Sequence, residues 1–149
     1  MPKPVTFQLL EAVRACVRQI RRTDGYHTNA GAAVTLEPGQ AQDTSDADRP
    51  DYMVDVIWLG SAPADDRALK DRAETMVVGV AVKMPADSNK EALRVHEIVA
   101  DVRRAMSNQQ SRFPAGTDFP KYAGTELITP TQGLSWVGAV VRYTANIRR

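Results

Sequence analysis

The sequence is poor in the residues that most catalytic and metal sites use. Among its 149 residues are one cysteine, Cys16, and two histidines, His27 and His96. A single cysteine cannot form an internal disulfide, and one cysteine with two distant histidines does not make a zinc site. His27 falls in a polar turn and His96 in the middle of a predicted helix. We expect a structural role for each, and no acid–base pair.

Recognised catalytic and nucleotide-binding motifs are also missing. The sequence contains no P-loop, no G-x-G-x-x-G turn and no G-x-S-x-G elbow. Asp43, Asp46 and Asp48 are spaced like the start of a calcium loop, but the glycine and the closing glutamate of such a loop are lacking. We therefore interpret them as a solvated acidic loop. We expect no cofactor and no bound metal, and we do not expect an enzyme.

Long apolar runs are absent as well. No stretch approaches the length of a membrane span, so we expect no membrane partner. The first residues, Met1 to Pro4, are followed by an amphipathic stretch and not by the apolar centre of a signal peptide. Synthesis and folding in the cytoplasm are expected.

What is present is ordinary globular composition, with 43% hydrophobic and 25% charged residues. We expect one domain over residues 1–149, and a chain of this length buries roughly two-thirds of its unfolded surface. Two amphipathic helices are predicted, at 4–22 and 88–106. Strands are predicted at 32–37, 52–59, 75–84, 126–129 and 135–147. Residues 38–50 and 109–124 are predicted to be long loops, the first of them a hairpin connection.

These elements predict an α+β fold. It would have a mostly antiparallel four- to five-stranded sheet packed by two amphipathic helices, with long polar loops. The strand at 75–84 is apolar on both faces, which is typical of a central strand. On the second helix, the residues assigned to the solvent side are Lys90, Arg94, Glu97, Asp101 and Arg104.

Charge is unevenly distributed although the net charge is only +1. Residues 1–23 contain five basic residues and one acidic residue, whereas residues 37–66 contain eight acidic residues and one arginine. Opposite local fields can orient a molecule against copies of itself or against a partner, although two solvated faces would give the same pattern. The candidate interface residues are Arg14, Arg18, Arg21, Arg22, Asp43, Asp46 and Asp48.

Several stretches, taken in order, resemble one protein family. They are Gly25-Tyr26, Thr28-Asn29-Ala30-Gly31, Asp55-Val56-Ile57-Trp58, Ala100 to Met106, and Trp136 followed by Val141-Arg142-Tyr143. This order resembles the tail terminator proteins of long-tailed bacteriophages, also called tail completion or minor tail proteins, which occur in prophages. The resemblance covers nearly the whole chain in element order, and none of its motifs is a chemical signature.

The resemblance implies a homohexameric ring, located in the virion tail and assembled in the cytoplasm of the host bacterium. Such a ring caps the tail tube, stops its polymerisation and offers its other face to the head. The implied partners are further copies of the chain, the tail tube protein and the head–tail connector proteins, with non-specific DNA contact in the lumen. The turn at 24–31 and the loop at 38–50 are expected to project toward a partner.

Two other functions remain open at this point. A head-completion or connector adaptor would also form a ring but would bind a portal. A small nucleic-acid-binding α+β domain would need exposed aromatic side chains on a sheet face with basic neighbours.

Overall fold

The computed structural model describes residues 3–32, 34–36, 53–63, 73–85, 91–107, 113–115, 117, 119–128 and 136–148. The predicted loop at 38–50, with Asp43, Asp46 and Asp48, lies outside these residues, and so do residues 88–90, the predicted start of the second helix.

The chain forms an α+β fold with two α-helices and five strands. In chain order the elements are α1 (Val5–Val17), β1 (Val34–Thr35), β2 (Met53–Pro63), β3 (Ala73–Pro85), α2 (Glu91–Met106), β4 (Lys121–Ile128) and β5 (Trp136–Arg148). Single 3₁₀ turns at Arg22–Asp24 and Ala30–Ala32 connect α1 to β1.

One open, mixed sheet runs in the order β1-β2-β3-β5-β4. β2, β3, β5 and β4 pair antiparallel, with Val80 opposite both Val56 and Val141 at the centre. β5 lies between β3 and β4, so α2 connects two strands of the same direction that are not neighbours. The prediction of a mostly antiparallel sheet with β3 at its centre is confirmed.

Both helices pack on one face of this sheet, which we call the helix side. Because side chains alternate between the two faces of a strand, every second strand residue lies on this face. These residues and those of the helices that pack on them are nearly inaccessible to solvent. From the sheet come Val54, Val56, Met76, Val78, Val80, Val82, Met84, Val137, Ala139, Val141, Tyr143, Ala145 and Ile147. From the helices come Leu9, Val13, Cys16, Val17, Ile98, Val102, Ala105 and Met106.

The strands differ from their predicted form in three places. β1 has two residues and pairs parallel with β2, so these two strands do not form the antiparallel hairpin that was predicted. β2 does not break at Gly60, because a bulge there (φ 125°) lets pairing with β3 continue to Pro63. β4 starts at Lys121, inside the stretch predicted as loop, and contains a similar bulge at Gly124.

α1 is shorter than predicted. It ends at Val17, and the next turn tightens as the amides of Gln19 and Ile20 bond to carbonyls three residues back. The chain then doubles back, and the amide of Gly31 donates to the carbonyl of Ile20. Ile20 is still fully buried, so the apolar stripe from which a longer helix was predicted continues beyond the observed end of α1.

Candidate functional site

The turn after α1 is fastened to α2 by a buried carboxylate. Asp101 is 1% exposed and accepts hydrogen bonds from the amide of His27 (3.0 Å), the amide of Thr28 (2.9 Å) and the Thr28 hydroxyl (2.7 Å). The Thr28 hydroxyl accepts in turn from the amide of Ala30. Asp101 was assigned to the solvent side of the helix, and that prediction is wrong, since the carboxylate replaces water for two buried donors of Thr28 and for the part-buried amide of His27.

Two of the predicted interface arginines hold the same turn together. Arg22 donates from Nε to the carbonyl of His27 (3.1 Å), and its amide donates to the Asn29 side chain (2.8 Å). Arg21 donates from Nη1 to the carbonyl of Ile20. Thr28, Ala30 and Gly31 are buried, whereas the other residues of the turn are exposed or half-buried, so the turn packs partly inward and its projection toward a partner stays a prediction.

The other two predicted arginines lie on or just after α1. Arg14 is partly buried, with Nη2 4.0 Å from Oε2 of Glu11. Arg18 follows the last helical residue and is exposed. Of the four, Arg18 alone is both exposed and outside the contacts described above.

Further along α2, two consecutive arginines stack on tyrosines. Arg104 lies over the Tyr26 ring (4.5 Å to the ring centre) and donates to the carbonyl of Gly25 (2.7 Å). Arg103 lies over the Tyr122 ring at the start of β4 (4.1 Å). Among the described residues, the Arg103 guanidinium has no hydrogen-bond acceptor, and its side chain lines the open space beside the ring.

That open space is a pocket of about 400 Å³ between the end of α2 and the start of β4. Its walls mix cationic, aromatic and apolar side chains: Ala100, Arg103, Arg104, Met106, Ser107, Phe119, Pro120, Tyr122 and Tyr143. Tyr122 and Tyr143 meet edge to face, with ring centres 6.0 Å apart. Phe113 and Phe119 meet in the same way at 5.5 Å, so aromatic residues of the predicted loop pack on each other near the core.

Tyr143 supplies a neutral hydroxyl to this pocket. Burial raises the pKa of Tyr143 to about 12, and the neighbouring Arg103 opposes that shift only in part. The phenolic hydroxyl therefore keeps its proton at physiological pH and can donate a hydrogen bond.

Both edges of the sheet contain backbone that does not pair with any described strand. β1 pairs only with Val54 and Asp55, so β2 has no described partner on that side from Val56 to Pro63. At the opposite end of the sheet order, β4 pairs with β5 alone within the described residues. Unpaired edges of this kind are sites where another chain can add a strand.

Large exposed apolar side chains lie on these two edges. Trp58 on β2 is 54% exposed, and Tyr122 and Leu127 on β4 are 42% and 61% exposed. Their register partners, Val78, Tyr143 and Ala139, are core residues, so all three lie on the helix side of the sheet. Leu93 on α2 is also 61% exposed. Trp58, Tyr122 and Tyr143 are the aromatic strand residues whose side chains are described, and none lies on the face opposite the helices.

Reasoning from sequence missed Asp101, Arg103 and the two edges as candidate sites. A signal for Asp101 existed, because it lies three residues after Ile98 and four before Ala105, both buried. The edges had no local signal, since strand order follows from pairings between distant segments.

No protein-family model matches the chain, and no curated protein matches its sequence. Among solved structures, one chain aligns over 93% of this protein and 95% of its own length, with 13% sequence identity and a TM-score of 0.42. The name of that chain states no function, and a match this weak supports no conclusion. Neither of the two described α-helices has the length and hydropathy of a membrane span. No three His, Cys, Asp or Glu side chains of the described residues are grouped as a metal site would require.

Proposed function

We propose that the protein is a structural phage tail protein that closes into a homo-oligomeric ring, caps the tail tube and stops its polymerisation. The observation that supports this best is that both edges of the open sheet, along β2 and along β4, contain backbone that pairs with no described strand. The order of sequence elements resembles that of tail terminator proteins, and this resemblance is the reason for assigning the ring to a phage tail.

The two edges fit a head-to-tail contact between copies. β2 and β4 run in opposite directions, because three successive antiparallel pairings separate them. When a rotation about an axis along the strands relates two copies, β4 of one copy meets β2 of the next in antiparallel orientation. A contact between two different surfaces produces a ring when the rotation closes.

The exposed side chains favour the same pairing. Trp58 and Leu127 both lie on the helix side, so a continuous sheet would place them side by side across the contact. Bulges at Gly60 and Gly124 interrupt the two edges and restrict regular pairing to residues 56–58 and 125–128. A contact this small forms by mass action, so we expect monomers in dilute solution and rings at high concentration or on a tube.

The test adds the purified protein to polymerising tail tube protein from the same phage or prophage, with tube length measured by electron microscopy. Short tubes with a ring at one end are expected. The matched control is Leu127→Asp, which should leave tube growth unrestricted.

Unrestricted growth with the wild-type protein would contradict the tail-capping function. If the protein then bound a portal ring, the head-completion adaptor would take its place. Salt-sensitive binding to a DNA duplex, without self-association, would favour the nucleic-acid-binding domain.

A further inference from the structure

We propose that the pocket between the end of α2 and the start of β4 binds a carboxylate carried on an apolar group, and that Arg103 holds the carboxylate. The inference goes beyond the proposed ring and does not depend on it, because every group that forms the site belongs to one copy of the chain. Two sources supply this chemistry: a free organic acid, and the C-terminal carboxylate of a partner polypeptide.

The pocket contains a guanidinium that is held in place and has no protein acceptor. Arg103 stacks on the Tyr122 ring at 4.1 Å, and its planar fork of N–H donors has no acceptor among the described residues. The ring is itself held, because the Tyr122 hydroxyl lies 2.6 Å from the Thr125 hydroxyl and the ring packs edge to face on Tyr143. Such a fork matches the two oxygens of a carboxylate, so the donor is already formed before the ligand arrives.

The charge of the pocket favours an anion. Arg104 also lines it, and no described acidic side chain does. The Arg104 guanidinium bonds to the carbonyl of Gly25 (2.7 Å), so it contributes positive potential while Arg103 keeps the open fork. The C-terminal end of a helix repels an anion with about half a charge, but here Ser107 donates to the carbonyls of Arg104 (3.1 Å) and Arg103 (2.8 Å). Two full positive charges therefore outweigh the capped helix end.

The other walls of the pocket require an apolar body on the ligand. Met106, Phe119 and Pro120 lie there, and the volume of about 400 Å³ suits a small organic molecule. Tyr143 adds a hydroxyl that keeps its proton, because burial raises its pKa to about 12. A carboxylate suits this setting better than a phosphate, since the second negative charge of a phosphate would be desolvated against these walls without a partner.

The first test is a titration of dilute protein with phenylacetate at low salt, followed by NMR. We expect the signals of the Arg103 Nε–H and the Tyr122 ring to shift, with a dissociation constant of about 1 mM. Acetate, which lacks the apolar body, and phenylacetamide, which lacks the charge, should each bind at least about tenfold more weakly. Tighter binding of phenyl phosphate than of phenylacetate would overturn the assignment to carboxylates.

Variants at Arg103 connect the binding to the guanidinium. Arg103→Gln should weaken phenylacetate binding at least about tenfold, and Arg103→Lys, which keeps the charge but not the fork, should recover only part of it. Arg103 is exposed, so the thermal midpoint of both variants should match that of wild type. Arg18→Gln is the matched control and should bind within about twofold of wild type, since Arg18 is exposed and does not line the pocket. Equal affinity of wild type and Arg103→Gln, or no binding by wild type, would overturn the site.

A peptide then distinguishes the two sources. If acetyl-Gly-Gly-Phe with a free C-terminal carboxylate binds more tightly than phenylacetate, and its C-terminal amide does not bind, the site is supported and takes a polypeptide terminus. If phenylacetate binds more tightly, the site is supported and takes a free organic acid. These titrations use dilute protein, so a failed carboxylate site would leave the ring standing, and a failed ring would leave the carboxylate site standing.

Discussion

The turn held by Asp101 and the edge formed by β4 differ in two respects: how many of their polar groups have hydrogen-bond partners, and how much of their apolar surface is buried. In the turn, a buried carboxylate, a threonine and two arginines hydrogen-bond to backbone groups, and the small residues around them are buried. On β4, backbone without a described partner lies beside exposed Tyr122 and Leu127. Residues that stand out in the sequence can therefore stabilise the fold, whereas a surface for a partner is recognised by unpaired backbone groups and exposed apolar side chains.

The largest expected effect is at Asp101. Asp101→Ala leaves the buried amide and hydroxyl of Thr28 and the part-buried amide of His27 without an acceptor, which should lower the free energy of unfolding by about 3–5 kcal/mol. Thr28→Val, which removes one of these donors, should cost about 1–2 kcal/mol. Urea denaturation measures both. A loss below about 1 kcal/mol in Asp101→Ala would mean that the turn does not depend on the carboxylate.

Gly31 should give the next largest effect. A Cβ atom at this position would lie 2.5 Å from the carbonyl oxygen of Arg18, which is backbone and cannot swing away. Gly31→Ala should therefore destabilise the protein by about 2 kcal/mol. Ala32→Ser, at an exposed neighbouring position, should change stability by less than about 0.5 kcal/mol. Equal thermal midpoints for these two variants would contradict the close approach.

A charge on the β4 edge should affect association and not folding. Leu127→Asp should raise the dissociation constant for self-association at least tenfold, about 1.4 kcal/mol, and change unfolding by less than about 1 kcal/mol. Leu93→Asp is matched to it, because Leu93 is equally exposed at 61% but lies on α2 and on neither edge. Equal weakening by both variants in sedimentation equilibrium would show that general surface polarity, and not the edge, controls association.

The smallest effect is a pH dependence at Tyr143. Because burial raises its pKa from 10.0 to about 12, the folded state holds the phenolic proton more tightly than the unfolded state. The resulting stability is fully present below pH 10 and is lost as pH rises toward 12. With the open pocket beside the ring, we expect a loss of about 1 kcal/mol beyond that of Tyr143→Phe. Parallel stability curves for the two proteins over this range would contradict it.

Much of the fold could be predicted from sequence because apolar periodicity reports which face of an element is buried. β3 reads as a central strand from its apolar run, and α2 from its spacing of Ile98, Val102 and Met106. The parallel pairing of β1 could not be predicted, since two residues carry no usable pattern. The continuation of β2 past Gly60 depends on its pairing with β3, and a glycine followed by serine and proline normally indicates a break.

The candidate site was harder to predict for a physical reason. Arg21 and Arg22 were predicted as interface residues from their charge alone. Charge does not distinguish a guanidinium that is hydrogen-bonded to nearby carbonyls from one that faces solvent. Arg103 acquires its setting from Tyr122 and Tyr143, which lie far away in sequence and meet it only when β4 and β5 pair.

The most direct test of the head-to-tail edge contact is disulfide formation between two variants, Trp58→Cys and Leu127→Cys, each of which adds one cysteine. The native Cys16 is fully buried and should not take part. When the two variants are mixed and oxidised, the account predicts a disulfide that joins position 58 of one copy to position 127 of the other, with little product from either variant alone. Efficient linkage within the Leu127→Cys sample and none in the mixture would show that β4 pairs with β4 in a two-fold dimer, which would contradict a ring.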